Sequence, residues 1–543
     1  MRLRFVALLA AAASLGLMPA RAMAQSSTSS EAKTSATATP QTSSRQESEK
    51  KDEHPLTKEM KSVTHGVVTV EGQRVDYDAT AGTIVLKDKD EKPTISMFYV
   101  AYTKSGVKDP STRPVTFIYN GGPGSSTMWL HMGAFGPQRV MTENHTHTPP
   151  APYKLVNNDD SLLDVSDLVF IDAPSTGFSR LIDKDHGGAA DPKEIYSVDG
   201  DGHAFAQFVT RFLTEFDRWN SPKYLFGESY GTTRSAVLAN DLETEDDVDL
   251  NGVMLLSQIL NFDISNDDNP ETNPGMDLPY ELSLPTYAAT AWFHKKIQGQ
   301  GQDLQALLTK VEQFAMTDYA AALNAGNTIS DAQKQQVAQQ LSAYTGLPAA
   351  YWIKADLRVN GGEFEKELLG PTQTAGRLDT RFVGPTMDPL SEGAEYDPQS
   401  AAISSAYVAL FNRYVRNTLD FKPDLPYRPE YYDSVLAHWN YLHAPPGAGE
   451  PLMQATNVMP DMAAAMKYNP DLKVELNAGY FDLATPFYAA VYAMQHLPIE
   501  QSLAKNISYE YYESGHMVYA DLPSLKKLHD NAAAFIRASD HQQ

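Results

Sequence analysis

Gly227-Glu228-Ser229-Tyr230-Gly231 sets a serine between two glycines, directly after the apolar run Tyr224-Leu225-Phe226. A serine hydroxyl is a weak nucleophile until a base takes its proton, so this spacing has chemical meaning only where the chain presents the hydroxyl at a sharp turn. The two glycines remove the Cβ atoms that would block a tight strand-to-helix turn. Val237, Leu238 and Leu242 then recur at helical spacing, as such a turn requires. A base and an orienting acid must follow. Asp482, in Gly479-Tyr480-Phe481-Asp482, and His516, in Gly515-His516-Met517, each come just after a strand-like segment. Loops at the carboxyl ends of parallel strands converge on one sheet edge, which predicts a Ser229–Asp482–His516 triad there. A second glycine cluster, Asn120-Gly121-Gly122-Pro123-Gly124-Ser125-Ser126, also follows a strand-like run. Backbone N–H groups exposed by such a loop suit an oxyanion hole, with Gly122 and Tyr230 as the predicted donors.

Positioning these residues needs a sheet covered on both faces. Val115–Tyr119, Leu168–Ile171, Tyr224–Phe226 and Gly252–Leu256 are near-continuous apolar runs, as buried parallel strands are. Phe205, Phe208, Phe212 and Phe216 predict an amphipathic helix between two of them. Shorter strands around Val67–Val70, Thr83–Leu86 and Ser96–Val100 predict an antiparallel region leading into the sheet. The pattern turns helical after about Phe262, with Leu304, Leu307, Leu308, Val311 and Phe314 on one face, Gly326 as a stop and Ser330–Gln333 as a capping box. Strand patterning resumes at Leu472–Leu476 and Ser508–Tyr512. Overall this predicts an α/β fold with a mostly parallel central sheet and a helical lid insertion.

Arg2 and Arg4, an apolar run to about Met18, and Ala22-Met23-Ala24 form a signal-peptide pattern with cleavage after Ala24. Residues 25–58 are too polar to bury a core and are expected to be a disordered linker. The expected division is therefore signal peptide 1–24, linker 25–58, first part of the core 59–262, helical insertion 263–440 and second part of the core 441–543. No later stretch is long enough to span a bilayer. The chain has no cysteine, which excludes a cysteine nucleophile and thiolate metal sites. With an alanine-rich signal, that points to a bacterial periplasmic or secreted protein. A formal charge of −24 makes nucleic acid and anionic membranes poor partners. His145 and His147 are too few for a metal site, and neither metal nor organic cofactor is expected.

Taken together, these segments, with Gly136-Pro137, Asp172-Ala173-Pro174 and Gly177-Phe178-Ser179, resemble the serine carboxypeptidase family of α/β hydrolases. The resemblance implies release of C-terminal amino acids from peptides through an acyl-enzyme. It further implies that Asn120 and Glu228, with the Gly121 N–H, hold the substrate's terminal carboxylate. Two close carboxylates repel unless one keeps a proton, so activity is expected to favour mildly acidic pH. The sequence departs from the family pattern at Ala134, where members usually carry a second Glu, and at Ser125, where they carry Cys. The missing Glu keeps an esterase or acyltransferase, using the same triad, as the alternative. A non-catalytic binding protein of the same fold is a second, which the complete triad opposes. Gly376–Arg381 is expected to be a structural ion-pair cluster.

Overall fold

A computed structural model describes residues 54–265, 273–297, 301 and 303–540. The expected signal peptide, and the expected linker up to residue 53, lie outside the described residues. Strands β1 (Lys61–Val70), β2 (Gln73–Lys87) and β3 (Pro93–Lys104) form an antiparallel meander. β3 then pairs antiparallel with β5 (Asp167–Ile171), which joins the meander to the parallel strands. Those are β5, β4 (Val115–Tyr119), β6 (Lys223–Glu228), β7 (Gly252–Leu256), β8 (Lys473–Gly479) and β9 (Ile507–Tyr512). The order across the sheet is β1-β2-β3-β5-β4-β6-β7-β8-β9, with the two-residue strand Arg180–Leu181 added beside β3. β8 runs three residues beyond Leu476, the end its apolar pattern suggested, because Asn477, Ala478 and Gly479 still pair with β9.

The parallel strands are buried on both faces, and alternate residues enter two cores. In β4, Val115, Phe117 and Tyr119 meet helix α1 (Val198–Glu215) and helix α2 (Tyr230–Thr244), while Ile118 faces the opposite core. Tyr99 sets its ring edge-on to Phe208, Phe212 and Phe216, which fixes α1 against the meander. The other face is covered by α6 (Pro398–Asn417) and α9 (Leu522–Ser539). Helices on both faces of a mostly parallel sheet make this an α/β-hydrolase fold.

Between β7 and β8 the chain leaves the sheet for α3 (Leu278–Phe293), α4 (Leu304–Phe314), α5 (Asp331–Thr345) and α6. Tyr287, Val311, Leu341, Trp352 and Phe364 give this stretch a core of its own. Its helix ends follow local chemistry. The Ser330 hydroxyl accepts from the Gln333 N–H to start α5, and Gly326 takes a positive φ of 52° after the helical turns that follow α4. Two helices close the layer near the carboxyl half, α7 (Met459–Tyr468) and α8 (Phe487–Gln495). No helix among the described residues is long and apolar enough to cross a membrane.

Candidate active site

Parallel register aligns the strand ends. Glu228 pairs with Leu256, Leu256 with Asn477, and Gly479 with Tyr512, so the loops after β6, β7, β8 and β9 leave from one edge. Ser229 sits at the turn from β6 into α2 with φ 62° and ψ −131°. That conformation is strained for a residue with a Cβ, at a cost of roughly 1–3 kcal/mol. The surrounding backbone enforces it. The Ser229 N–H donates to the Leu256 carbonyl (3.0 Å), and its own carbonyl accepts from the N–H (2.8 Å) and hydroxyl (2.7 Å) of Thr232. Strand and helix can approach this closely only because residue 227 is glycine: a Cβ there would lie 2.3 Å from the Gly231 carbonyl oxygen.

His516 reaches the same place from the loop after β9. Its carbonyl accepts from the Ser257 hydroxyl (2.8 Å), so Ser229 and His516 are anchored to the consecutive residues Leu256 and Ser257. His516 Nδ1 lies 2.8 Å from Asp482 Oδ2. Asp482 is fully buried and held by Thr485, whose N–H donates to Oδ1 (3.0 Å) and whose hydroxyl donates to Oδ2 (2.7 Å). Burial opposes a charge on His516, but the adjacent Asp482 carboxylate outweighs it and raises the imidazole pKa. Such an imidazole gains a proton readily, as a general base must.

The glycine loop after β4 packs directly against the serine turn. A Cβ on Gly121 would lie 2.5 Å from the Tyr230 nitrogen and 2.6 Å from the Gly231 nitrogen. Gly122 has φ +110°, where a side chain would be strained. Tyr230 is the first residue of α2, so its N–H belongs to the unpaired donors of a helix N-terminus. Asn120 Nδ2 donates to Glu228 Oε2 (2.8 Å), and the Asn120 side-chain oxygen accepts from the Leu130 N–H (3.2 Å). Burial raises the Glu228 pKa to about 7, against the lowering effects of His516, Tyr519 and Asn120.

Several supporting residues were not anticipated from sequence. Arg234, fully buried on α2, donates to the Asn120 carbonyl (2.6 Å) and pairs with Asp201 (2.6 Å) under the Phe205 ring. It thereby ties the glycine loop to the serine helix. Thr485, three residues after Asp482, had a readable signal, the local hydrogen-bonding turn that an Asp favours. Arg234 and Tyr519 had none, since Asn120 and Glu228, the site residues they reach, are more than a hundred residues away. Gly376–Arg381 forms an ion-pair cluster through Asp379 and Arg381 (2.7 Å), and it also grips the loops that carry Asp482 and His516. The Leu378 carbonyl accepts from the His516 N–H (2.6 Å), the Arg377 carbonyl from the Leu483 N–H (3.0 Å), and Arg381 donates to the Glu513 carbonyl (2.6 Å). Ala134 is fully buried and brings no acid to Glu228.

The chain is similar to known proteins in both sequence and fold. Residues 72–428 match the model of the family described as serine carboxypeptidase, a span that includes the glycine loop and the serine turn but ends before Asp482 and His516. The chain is 29% identical over 182 residues to serine carboxypeptidase-like 45 of Arabidopsis thaliana, covering 33% of this chain and 35% of that protein. It is also 29% identical over 166 residues to the pheromone-processing carboxypeptidase KEX1 of Saccharomyces cerevisiae, covering 30% of this chain and 22% of that one. The matched segments thus span about a third or less of these relatives. The crystal structure of a Saccharomyces cerevisiae KEX1 prohormone-processing carboxypeptidase superposes with a TM-score of 0.50 at 17% identity, over 84% of this chain and 91% of that one, which shows a shared fold. With the family model matching more than half of its length, the chain belongs to the serine carboxypeptidase family.

Proposed function

We propose that the protein removes C-terminal amino acids from peptides through an acyl-enzyme. Ser229 attacks the last peptide carbonyl while His516 takes the hydroxyl proton, and Asp482 holds the imidazole and balances its charge. The N–H groups of Gly122 and Tyr230 stabilise the oxyanion. His516 then passes its proton to the leaving amine, breaking the C–N bond, and water releases the acyl group by the same route in reverse. Asn120, the Gly121 N–H and Glu228 hold the terminal carboxylate. The observation that carries this reading is the placement of Glu228. A buried carboxyl whose pKa is raised to about 7 sits next to the nucleophile, able to keep the proton that a substrate carboxylate needs opposite it.

The test compares an N-blocked dipeptide with its C-terminal amide from about pH 4 to pH 8, a range that brackets both ionisations. Preference for the free acid, falling as pH rises through the Glu228 pKa, supports the assignment. Equal turnover of acid and amide, or turnover of esters alone, replaces it with an esterase or acyltransferase. Ala134 is the observation that favours that second reading, because Glu228 has no acidic partner there. The N-terminal Arg, apolar and A-x-A pattern supports export with cleavage after Ala24, and the absence of cysteine supports a bacterial periplasmic or secreted setting.

A further inference from the structure

Glu228 accepts two side-chain hydrogen bonds, and both arrive at the same oxygen. Asn120 Nδ2 lies 2.8 Å and the Tyr519 hydroxyl 2.9 Å from Oε2, leaving Oε1 without a protein donor among the described residues. Tyr519 comes from the loop that carries His516, three residues later, and is 2% exposed. Its ring is fixed by close packing: a Cβ on Gly133 would lie 2.6 Å from Tyr519 Cδ2 and 2.5 Å from the Tyr407 hydroxyl. A phenol with a strongly raised pKa stays a donor throughout the working range. An oxygen that already accepts two hydrogen bonds is the carbonyl oxygen of a neutral carboxyl, because carrying the proton would weaken both.

We propose that Tyr519 is a positioning residue for carboxylate recognition: with Asn120 it occupies Oε2 and so directs the Glu228 proton to Oε1, where it can be donated to the substrate's terminal carboxylate. The inference rests on the carboxypeptidase reading above and assigns the recognition site a part drawn from the histidine loop. Glu228 and the base thereby depend on one short segment, so that segment places the substrate and the proton acceptor together. The titratable groups facing Glu228 are His516 and Asp482 on the catalytic loops, Tyr519 beside His516, Tyr407 on α6 and Tyr432 near the glycine loop. Of the tyrosines, Tyr519 alone has a hydrogen bond to Glu228 among those described. Because a phenol donor favours the ionised carboxyl, removing it shifts the Glu228 titration to higher pH.

Tyr519→Phe keeps the ring and removes the donor. The free-acid dipeptide should show a KM about tenfold higher, as expected for one hydrogen bond to an ionisable group. Its falling pH limb should move to higher pH, and kcat for the amide or an ester should stay the same. Equal loss of kcat on all substrates with an unmoved limb would mean a packing role and overturn the proposal. The second measurement does not need turnover: the Glu228 carboxyl is titrated by carbon-13 NMR in Ser229→Ala protein, with and without Tyr519→Phe. A midpoint that moves up supports the assignment, and an unmoved midpoint overturns it. If the unsubstituted enzyme shows no preference for the free acid, the carboxypeptidase reading fails by itself, and the NMR titration still decides whether Tyr519 governs the Glu228 proton.

Discussion

The two halves of the proposed site are built differently. In the hydrolytic half, Ser229, Asp482 and His516 each follow a parallel strand, and sheet register alone brings their loops to one edge. In the proposed recognition half, Asn120 follows β4 and Glu228 ends β6, but the Glu228 carboxyl is held by Tyr519 from the histidine loop and by Asn120, whose carbonyl Arg234 ties down. One half is fixed by topology and the other by packing. In the proposed function, recognition of a free carboxylate depends on where one buried proton resides.

Substitutions should separate the halves, beginning with those that stop all turnover. Ser229→Ala is expected to lower kcat by about 10⁶-fold on acid, amide and ester alike, measured by steady-state kinetics and by loss of fluorophosphonate labelling. Asp482→Asn should cost about 10⁴-fold on every substrate, because the amide no longer holds the imidazole tautomer. If either spared one substrate class, the two halves would not share one catalytic apparatus.

Glu228→Gln tests the recognition half. Glu228 holds its proton below about pH 7 and loses it above, so free-acid turnover of the unsubstituted enzyme falls as pH rises through that value. The glutamine variant should lose that falling limb, and its kcat/KM for the free acid should drop about ten- to a hundredfold. The rising limb, which follows deprotonation of His516, should remain for all substrates. A falling limb that persisted would place the carboxylate grip elsewhere.

The helical stretch tests how far the hydrolytic half depends on its neighbours. Arg381→Leu leaves Asp379 buried without its ion-pair partner and frees the Glu513 carbonyl beside the histidine loop. Stability should fall by roughly 3–5 kcal/mol in denaturant titration, as for other broken buried pairs. kcat should fall equally on acid and amide, leaving their ratio intact.

The smallest effect on selectivity is expected at His443, which belongs to neither half and is held between Asp199 and Asp461. Burial opposes its charge, but the two carboxylates prevail and raise its pKa to about 9. Its contribution to stability is therefore full below the unfolded value near 6.5 and is lost as pH rises through about 9. His443→Phe should lower the melting temperature at pH 6 by more than at pH 9.5, with the acid-to-amide ratio unchanged.

Much of this architecture was legible in the residues. Apolar runs such as Val115–Tyr119 and Gly252–Leu256 became strands with the same bounds, because a strand buried on both faces tolerates little else. Gly227 marked the turn, since a Cβ there would lie 2.3 Å from the Gly231 carbonyl oxygen and hold strand and helix apart. These are local constraints, in which each residue's chemistry depends on its sequence neighbours. The end of β8 was less legible, because Asn477 and Gly479 pair through backbone groups that carry no side-chain signal.

What only the tertiary structure decided is the electrostatic character of the site. Glu228 is an ordinary acid in sequence, and only burial, prevailing over the hydrogen bonds from Tyr519 and Asn120, raises its pKa to about 7. The Gly376–Arg381 segment, likewise, meets the histidine loop only after more than a hundred intervening residues have folded. The sequence by itself determined which groups can react and which sheet edge they share, because strand patterning and loop position are local. Their proton affinities arise from desolvation and from distant partners, and those exist only once the chain has closed around them.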